Sequence, residues 1–474
     1  MSTATLSHPA SSRIPVFDGD LVARYAITGP RYTSYPTALQ FQPGFGEETL
    51  RGIARASNED PIPRALSVYV HVPFCLSPCF YCGCTRIITR DRARADVYLE
   101  HLLREIEMTA PLFDTDRRVL QLHLGGGTPN FLDTRQMTRL LDALRNGFLL
   151  SDDAEREFGI EVDPRYADAG MIRDLAGLGF NRISLGIQDF DPDVQVAVNR
   201  VQSIEQTRGV IEAARESGFR SISVDLIHGL PKQTPERFAR TLEEVIALRP
   251  DRVATYAYAH MPERFRAQRR IDTLELPDAP TRLALIGLSV EMLVDAGYRY
   301  IGLDHFALPG DDLSHAQRVG TMQRNFQGYS THGDCDLIGL GMSSIGHIGR
   351  SFHQNARDLP TYYAAISSGC LPVQKGMLLD EDDVVRADAI ARIMCDGMLD
   401  TQGFGAQHGI DFATYFAGEL RRLRELEADG LVTLSDRRID VTARGRFLLR
   451  IIAMCFDAYL KRPDSDLTRY SRAV

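Results

Sequence analysis

Residues 69–84 read Tyr69-Val70-His71-Val72-Pro73-Phe74-Cys75-Leu76-Ser77-Pro78-Cys79-Phe80-Tyr81-Cys82-Gly83-Cys84. A short apolar run ends at Pro73 and gives way to Cys75, Cys79 and Cys82, spaced CxxxCxxC. Three thiolates this close can hold three irons of a [4Fe–4S] cube, where four-cysteine ligation is the usual rule. One iron is then left open to a substrate or cofactor, which points to chemistry rather than electron storage. Zinc prefers four N/S ligands, commonly as separated CxxC pairs. Here the first gap is three residues and no second pair follows at zinc spacing, so the ligand rules favour iron and sulfur. Eight cysteines in 474 residues are too sparse for a disulfide framework.

Working outward, strand-like runs recur at 67–73, 119–124, 157–163, 182–188, 221–227 and 251–258. Helical periodicity falls between them. Leu99, Leu102, Leu103 and Ile106 repeat at i, i+3, i+4, i+7, as do Met137, Leu140, Leu141 and Leu144. Thr234-Pro235 reads as an N-cap and first helical residue. Strand–helix alternation predicts an α/β fold with a parallel sheet and covering helices. A parallel α/β barrel carries its chemistry at the C-terminal strand ends. The cysteine loop follows the first run, Gly125-Gly126-Gly127-Thr128-Pro129 the second, Glu161 and Gln188 close the third and fourth, and Asp225 lies near the end of the fifth.

Residues 1–60 lack this alternation and are read as an arm packed on the barrel, with a turn-rich aromatic segment at Gly29–Ala38. The barrel domain and its flanks are placed at 61–350. Residues 351–474 read as a smaller, mostly helical, winged-helix-like domain, with a hairpin formed by 431–434 and 439–442 before a final helix.

Hydrophobic content is 44% and charged content 25%, ordinary for a globular protein. A net charge of −9 argues against nucleic acid as the main partner. No apolar run of membrane length and no signal-peptide h-region is present, so a cytoplasmic protein without a membrane span is expected. The bases are almost all arginine, only Lys232, Lys375 and Lys461 being lysine, and none of these lies at a strand end where Schiff-base chemistry would need it. The glycines before Thr128 let backbone approach a ligand. Glu161, in an otherwise apolar strand, needs a partner; a buried structural carboxylate pairing an arginine is the alternative. Asp225 could accept hydrogen bonds from hydroxyl or amino groups.

The cysteine run resembles the cluster motif of the radical S-adenosylmethionine (SAM) superfamily. The longer string through Cys84, the Arg31-Tyr32-Thr33-Ser34-Tyr35-Pro36-Thr37-Ala38 arm, Asp304-His305-Phe306 and Arg324-Asn325-Phe326-Gln327-Gly328-Tyr329 resemble one branch, the oxygen-independent coproporphyrinogen III oxidases (dehydrogenases). That resemblance implies a partial parallel (β/α)6-type barrel. It implies a [4Fe–4S] cluster on Cys75, Cys79 and Cys82, with Cys84 not a ligand. It implies one SAM site matching Tyr69, Gly126, Glu161 and Ile345, and a second matching Gly127, Thr128, Gln188, Arg200, Asp225 and Ala259. The implied reaction starts with one-electron cleavage of SAM to methionine and a 5′-deoxyadenosyl radical. The radical takes hydrogen from a propionate β-carbon, and loss of CO₂ and one electron leaves a vinyl group. Two propionates of coproporphyrinogen III would react to give protoporphyrinogen IX, with an electron donor and an acceptor that the sequence does not name. The rival is a haem-binding chaperone of the same superfamily; Cys84 and the Tyr32–Ala38 arm favour the enzyme. Arg264, Arg266, Arg269 and Arg270 follow the sixth run; arginine forks suit a tetracarboxylate, and a solvated helix face is the plainer reading.

Overall fold

The six apolar runs become six strands in sequence order: β1 (Leu66–Val72), β2 (Arg118–Gly126), β3 (Glu157–Val162), β4 (Arg182–Gln188), β5 (Ser221–His228) and β6 (Arg252–Ala257). Each pairs in parallel with the next. The computed structural model describes residues 15–462 and residue 470; residues 1–14 of the expected arm, and 463–469 and 471–474 of the expected C-terminal domain, lie outside the described residues. Six of the seven residues of β1 are buried, as expected for a parallel sheet covered on both faces. The covering helices include α1 (Ala93–Thr109), α2 (Thr134–Gly147), α3 (Ala169–Gly177), α4 (Ile204–Glu216), α5 (Pro235–Leu248) and α6 (Ala279–Asp295). Leu99, Leu102 and Ile106 of α1, and Met137, Leu140, Leu141 and Leu144 of α2, are buried as their spacing predicts. Thr234 caps α5, its side chain accepting from the Arg237 amide.

The sheet does not stop at six strands. On the β6 edge lie β7 (Arg299–Gly302) and β8 (His305–Ala307), with β8 antiparallel to β6. Beside β1 lie β9 (Asp336–Leu340), parallel to it, then β10 (Ile345–Ile348), β11 (Ser351–Asn355) and β12 (Val373–Leu378), each antiparallel to its predecessor. The division drawn at residue 350 therefore falls inside this sheet, which runs on to Leu378. A hairpin of Gln323–Asn325 and Gly328–Ser330 reaches the barrel's N-terminal end. There Gln121 donates to Ser330 Oγ (2.9 Å) and Thr331 to Glu157 (2.8 Å). Glu157 also pairs with Arg182 (2.8 Å). This polar layer closes the bottom and leaves the opposite end to the functional groups.

Beyond the sheet, Val432–Leu434 and Arg438–Val441 form the expected hairpin, and Met398–Asp400 adds a third antiparallel strand. Helices Thr401–His408 and Ala417–Ala428 lie between these strands in sequence, a winged-helix-like arrangement.

The described part of the arm meets the barrel at Arg31, which pairs with Asp304 at the β7–β8 turn, at Phe17, which packs on Gly287 of α6, and at Ser57 and Asn58, which both accept from Arg117 (2.9 Å each). Most of its other bonds go to the C-terminal domain. Tyr32 donates to Asp457 (2.9 Å), Tyr35 accepts from the Ala458 amide (3.0 Å), and Arg450 donates to the Gly29 and Pro30 carbonyls.

Candidate active site

The cysteine loop leaves β1 and is held by backbone and arginine contacts. Ile87–Ile88 pairs with Phe74–Cys75, the Phe80 amide donates to the Val198 carbonyl (2.9 Å), and Asn199 donates to the Pro78 carbonyl (2.6 Å). Arg86 donates to the Cys82 and Cys79 carbonyls (3.0 and 3.1 Å). Donors also face the sulfurs. The Thr128 hydroxyl lies 3.3 Å from Cys75 Sγ, and Arg165 and Arg200 lie 3.7 and 3.6 Å from Cys79 Sγ. The Cys84 amide lies 3.4 Å from Cys82 Sγ. The Cys84 thiol bond and the nearby Arg86 lower Cys82 to about 6 against its burial, while Cys84 is pushed well up, so the proton between them stays on Cys84. Burial pushes Cys75 up to about 11, against the lowering effect of the Thr128 hydroxyl. Among the described residues no three His, Cys, Asp or Glu side chains are grouped for a single metal ion. A cube spreads its thiolates over separate irons, so this geometry bears on a mononuclear site and not on the cluster.

The glycine turn fits against this loop with no room for side chains. A Cβ on Gly125 would lie 2.7 Å from Glu161 Oε1, on Gly126 2.4 Å from the His71 ring, and on Gly127 2.7 Å from the Pro73 backbone. Gly126 also has φ +111°. Tyr69 and His123 are register partners on β1 and β2, and their rings stack 6.0 Å apart. The Tyr69 hydroxyl meets His71 Nδ1 at 3.1 Å. Gly339 is the β9 register partner of Tyr69, and the Ile345 carbonyl lies 2.6 Å from where its Cβ would stand. Ile345 thus lies across β9 from Tyr69.

Glu161 accepts from His123 Nε2 and the Gly126 amide, both at 3.2 Å. Burial favours its neutral form, but His123 and the Gly126 amide outweigh that and hold it below the usual carboxylate range. Ser184, its register partner on β4, donates to Asp225 Oδ2 at 3.3 Å. Burial, aided by the negative charge of Glu161, pushes Asp225 up to about 7. Glu161, Asp225, His123 and Tyr256 line one cavity of about 160 Å³ inside the barrel. Gln188, at φ +71°, and Arg200 meet at Gly186, where a Cβ would lie within 3.0 Å of both side chains. Arg200 bonds Asp163 (3.1 Å) and the Gly186 carbonyl, while its Nε and Gln188 Oε1 are buried without partners. Such orphaned atoms suit a polar ligand.

The sequence-chosen residues thus converge on one barrel mouth, with one displaced. Ala259 lines a neighbouring cavity of about 420 Å³, shared with Arg31, Tyr258, His260 and Arg282, where the arm faces the barrel. Arg264, Arg266, Arg269 and Arg270 are exposed on the outer side of that segment. The sequence reading missed His123, Arg86, and Asp163 and Arg165, which lie with Arg200 beside Cys79. Arg86 had a signal, a base two residues after the last loop cysteine. The others are single polar residues from separate strand ends.

The sequence matches the Radical SAM superfamily over residues 69–245 and the HemN C-terminal domain over residues 379–448. An oxygen-independent coproporphyrinogen III oxidase of Pseudomonas aeruginosa is 49% identical over 458 residues, 97% of this chain and 99% of the relative. That of Escherichia coli K12 is 45% identical over 459 residues, 97% and 98% of the two chains. The solved structure described as coproporphyrinogen III oxidase (HemN) from Escherichia coli, a radical SAM enzyme, superposes with a TM-score of 0.89 at 44% identity, covering 94% of this chain and all of the other. No helix among the described residues is long and apolar enough to cross a membrane. With near-complete coverage, the likeness extends over arm, barrel and C-terminal domain together, and the chain belongs to the oxygen-independent coproporphyrinogen III oxidase family of radical SAM enzymes.

Proposed function

We propose that this chain converts two propionate side chains of coproporphyrinogen III to vinyl groups, giving protoporphyrinogen IX in anaerobic haem biosynthesis. The observation that carries the reading is the convergence of the cysteine loop, the Gly125–Thr128 turn, Glu161 and Asp225 at successive C-terminal ends of parallel strands. Cys75, Cys79 and Cys82 would hold the cluster, with Cys84 a neighbouring donor. When bound, cluster and SAM supply one-electron cleavage of a sulfonium and a carbon radical able to take a hydrogen atom.

The chain's own groups bind, orient and shield. Thr128, Arg165 and Arg200 aim hydrogen-bond donors at cysteine sulfurs, which favours an anionic cluster. Ionised Glu161 offers a counter-charge and acceptor for the SAM ammonium beside the Gly126 backbone, with Tyr69 and Ile345 forming the wall. Gly127, Thr128, Gln188, Arg200, Asp225 and Ala259 would serve a second SAM, Gln188 Oε1 and Arg200 Nε being the atoms still without partners. The arm borders the cavity that contains Ala259, where it can keep water from a radical. The eight unpaired cysteines suit a reducing compartment such as the cytoplasm. The chain reads as arm, barrel and C-terminal domain, with the last division near residue 379.

The test is anaerobic turnover of coproporphyrinogen III with SAM and a reductant, followed by product masses. Loss of two CO₂ per substrate is expected. Tight haem binding with no CO₂ release would replace the enzyme with the chaperone.

A further inference from the structure

Gln188 and Arg200 stand at the two ends of one segment, and that segment touches two parts of the candidate site. At its start Gln188 has φ +71°, a conformation that a non-glycine residue keeps only where its surroundings fix it. Towards its end Asn199 donates to the Pro78 carbonyl (2.6 Å), and the Val198 carbonyl accepts from the Phe80 amide (2.9 Å). Arg200 joins the two parts. Its Nη1 lies 3.6 Å from Cys79 Sγ, while its Nε and Gln188 Oε1 are the buried atoms without partners. A buried polar knot fixes the segment. Asp189, 2% exposed, accepts at Oδ1 from the Thr241 hydroxyl and the Asp191 amide, both at 2.7 Å, and at Oδ2 from Gln233 Nε2 at 2.6 Å. Thr241, on α5, also accepts from the Phe190 amide (3.1 Å). Gln233 also donates to the Ile227 carbonyl of β5 (2.8 Å) and accepts from the Leu230 amide (2.9 Å). Gln195 draws the loop shut, donating to the Asp189 and Gln202 carbonyls (2.9 Å each) and accepting from the Gln202 amide (3.1 Å). The Arg200 amide in turn donates to the Gln195 carbonyl (2.9 Å). Thr241, Gln233 and Gln195 are all buried. A buried carboxylate is costly unless bonded, and three donors here meet that need.

From this geometry we infer that Asp189 is a positioning residue: by fixing the 188–200 segment it aligns Gln188 and Arg200 for a ligand and keeps Arg200 against Cys79. The Asp189 carboxylate bonds neither Arg200 nor a cysteine, so it acts through its neighbours. Because Arg200 belongs to both parts of the site, a change at Asp189 is felt at the ligand pair and at the cysteine loop together. A residue that served folding alone would move stability and neither of these. The inference rests on the cluster and SAM assignments proposed above.

The test uses the cluster-loaded full chain with SAM as probe, the cluster kept oxidised so that SAM is not cleaved. Equilibrium dialysis gives the number and affinities of bound SAM. Electron paramagnetic resonance of the reduced, SAM-free protein reads the cluster, and calorimetry reads stability. Asp189→Asn sets an amide nitrogen against Gln233 Nε2, donor against donor. It should weaken the second SAM about tenfold, leave the first within about twofold, and shift the cluster resonance. Adding Gln233→Glu restores that bond with its direction reversed and should recover both readouts. Thr241→Val, which removes a donor from the knot, should move both readouts in the same direction and decides the case if Asp189→Asn does not fold. Glu105→Gln, at a buried carboxylate in a separate network, should lower the melting temperature alone. Two SAM bound with wild-type affinities by a folded Asp189→Asn of unchanged resonance overturns the proposal. So do equal shifts of both readouts in Glu105→Gln, or a folded double variant that recovers neither. A wild type that binds a single SAM refutes the second-site reading instead, and the resonance of Asp189→Asn then decides the role of Asp189. Failure of the family reaction would show separately, as absent CO₂ from wild-type protein that carries the cluster and both SAM.

Discussion

Glu105 and Glu161 both bring a carboxylate to the edge of the parallel sheet, Glu105 from α1 and Glu161 from the end of β3. Glu105 accepts from the Gly341 amide (2.7 Å), Asn355 Nδ2 (2.7 Å) and the Tyr362 hydroxyl (2.6 Å), and the residue is 2% exposed. Burial still pushes it up to about 7. Glu161 accepts two bonds, its side chain is 44% exposed to the cavity, and it stays ionised. A carboxylate has about four acceptor sites. Glu105 directs its sites inward, tying α1 to the β9–β10 turn and the helix Leu359–Ser367. Glu161 keeps capacity facing open space. Both are acidic residues packed against a covered sheet, one from a helix and one from a strand, and the unspent capacity is what fits Glu161 to the ligand role proposed for it.

The cysteine loop sharpens the same contrast and should show the largest effect. Cys79→Ser removes a proposed iron ligand that two arginines already face, and should abolish the four-iron spectrum and SAM cleavage after anaerobic reconstitution. Cys84→Ser should keep the four-iron spectrum. Iron counting and ultraviolet–visible spectra decide. A cluster retained by Cys79→Ser and lost from Cys84→Ser would reverse the ligand assignment.

Next come the two glutamates themselves, as a crossed pair. Glu105→Ala leaves two buried donors, the Gly341 amide and the Tyr362 hydroxyl, without an acceptor, while Asn355 keeps the Gly341 carbonyl and Ser344 Oγ; the cost is about 2 kcal/mol or more, since each orphaned group costs about 1–3. Its thermal midpoint should fall, while SAM affinity of the folded protein should stay within about twofold of wild type. Glu161→Ala should do the opposite, keeping its melting temperature and iron content and losing about tenfold or more in SAM affinity, as loss of a charge-assisted bond requires. Calorimetry and anaerobic equilibrium dialysis on both variants test the crossing. Equal losses in both assays by both variants would dissolve the distinction.

How much of this was legible depended on whether the cause was local. The six barrel strands were, because burial on both faces writes continuous apolar runs. The added strands were not. Ser351–Asn355 reads Ser-Phe-His-Gln-Asn, and all five residues are buried because neighbouring strands and the arm cover them. Glu161 and Asp225 stood out as charges within apolar strands. Glu105 did not, because a glutamate on an amphipathic helix looks like any surface position until Gly341 and Tyr362 fold onto it. Asp163 and Arg165 escaped for the same reason, as they meet Arg200, itself reached through family resemblance, only after β3 and β4 are side by side. Ile345 and Ala259 were reached through family resemblance alone, and Ala259 opens on a different cavity from Asp225.

Asp225 gives the smallest effect and the finest test, since burial raises it to the same value as Glu105, about 7, yet it faces the cavity. Its unfolded value is about 3.9, so the folded chain holds the extra proton between about pH 4 and 7. The stability it contributes is therefore full below about pH 4 and lost as pH rises through 7. SAM is a cation. A positive charge beside Asp225 favours the carboxylate, so binding should release a proton and tighten as pH rises towards 7, levelling off above it. The gain is at most about tenfold for each unit by which SAM lowers the group. Glu105 has no route to such coupling, being sealed behind three protein donors. Dialysis of SAM between about pH 5.5 and 8.5 should show this rise in the wild type, a flat profile in Asp225→Asn and an unchanged rise in Glu105→Gln. A rise that survives Asp225→Asn would assign the proton to another group and leave Asp225 a structural partner of Ser184.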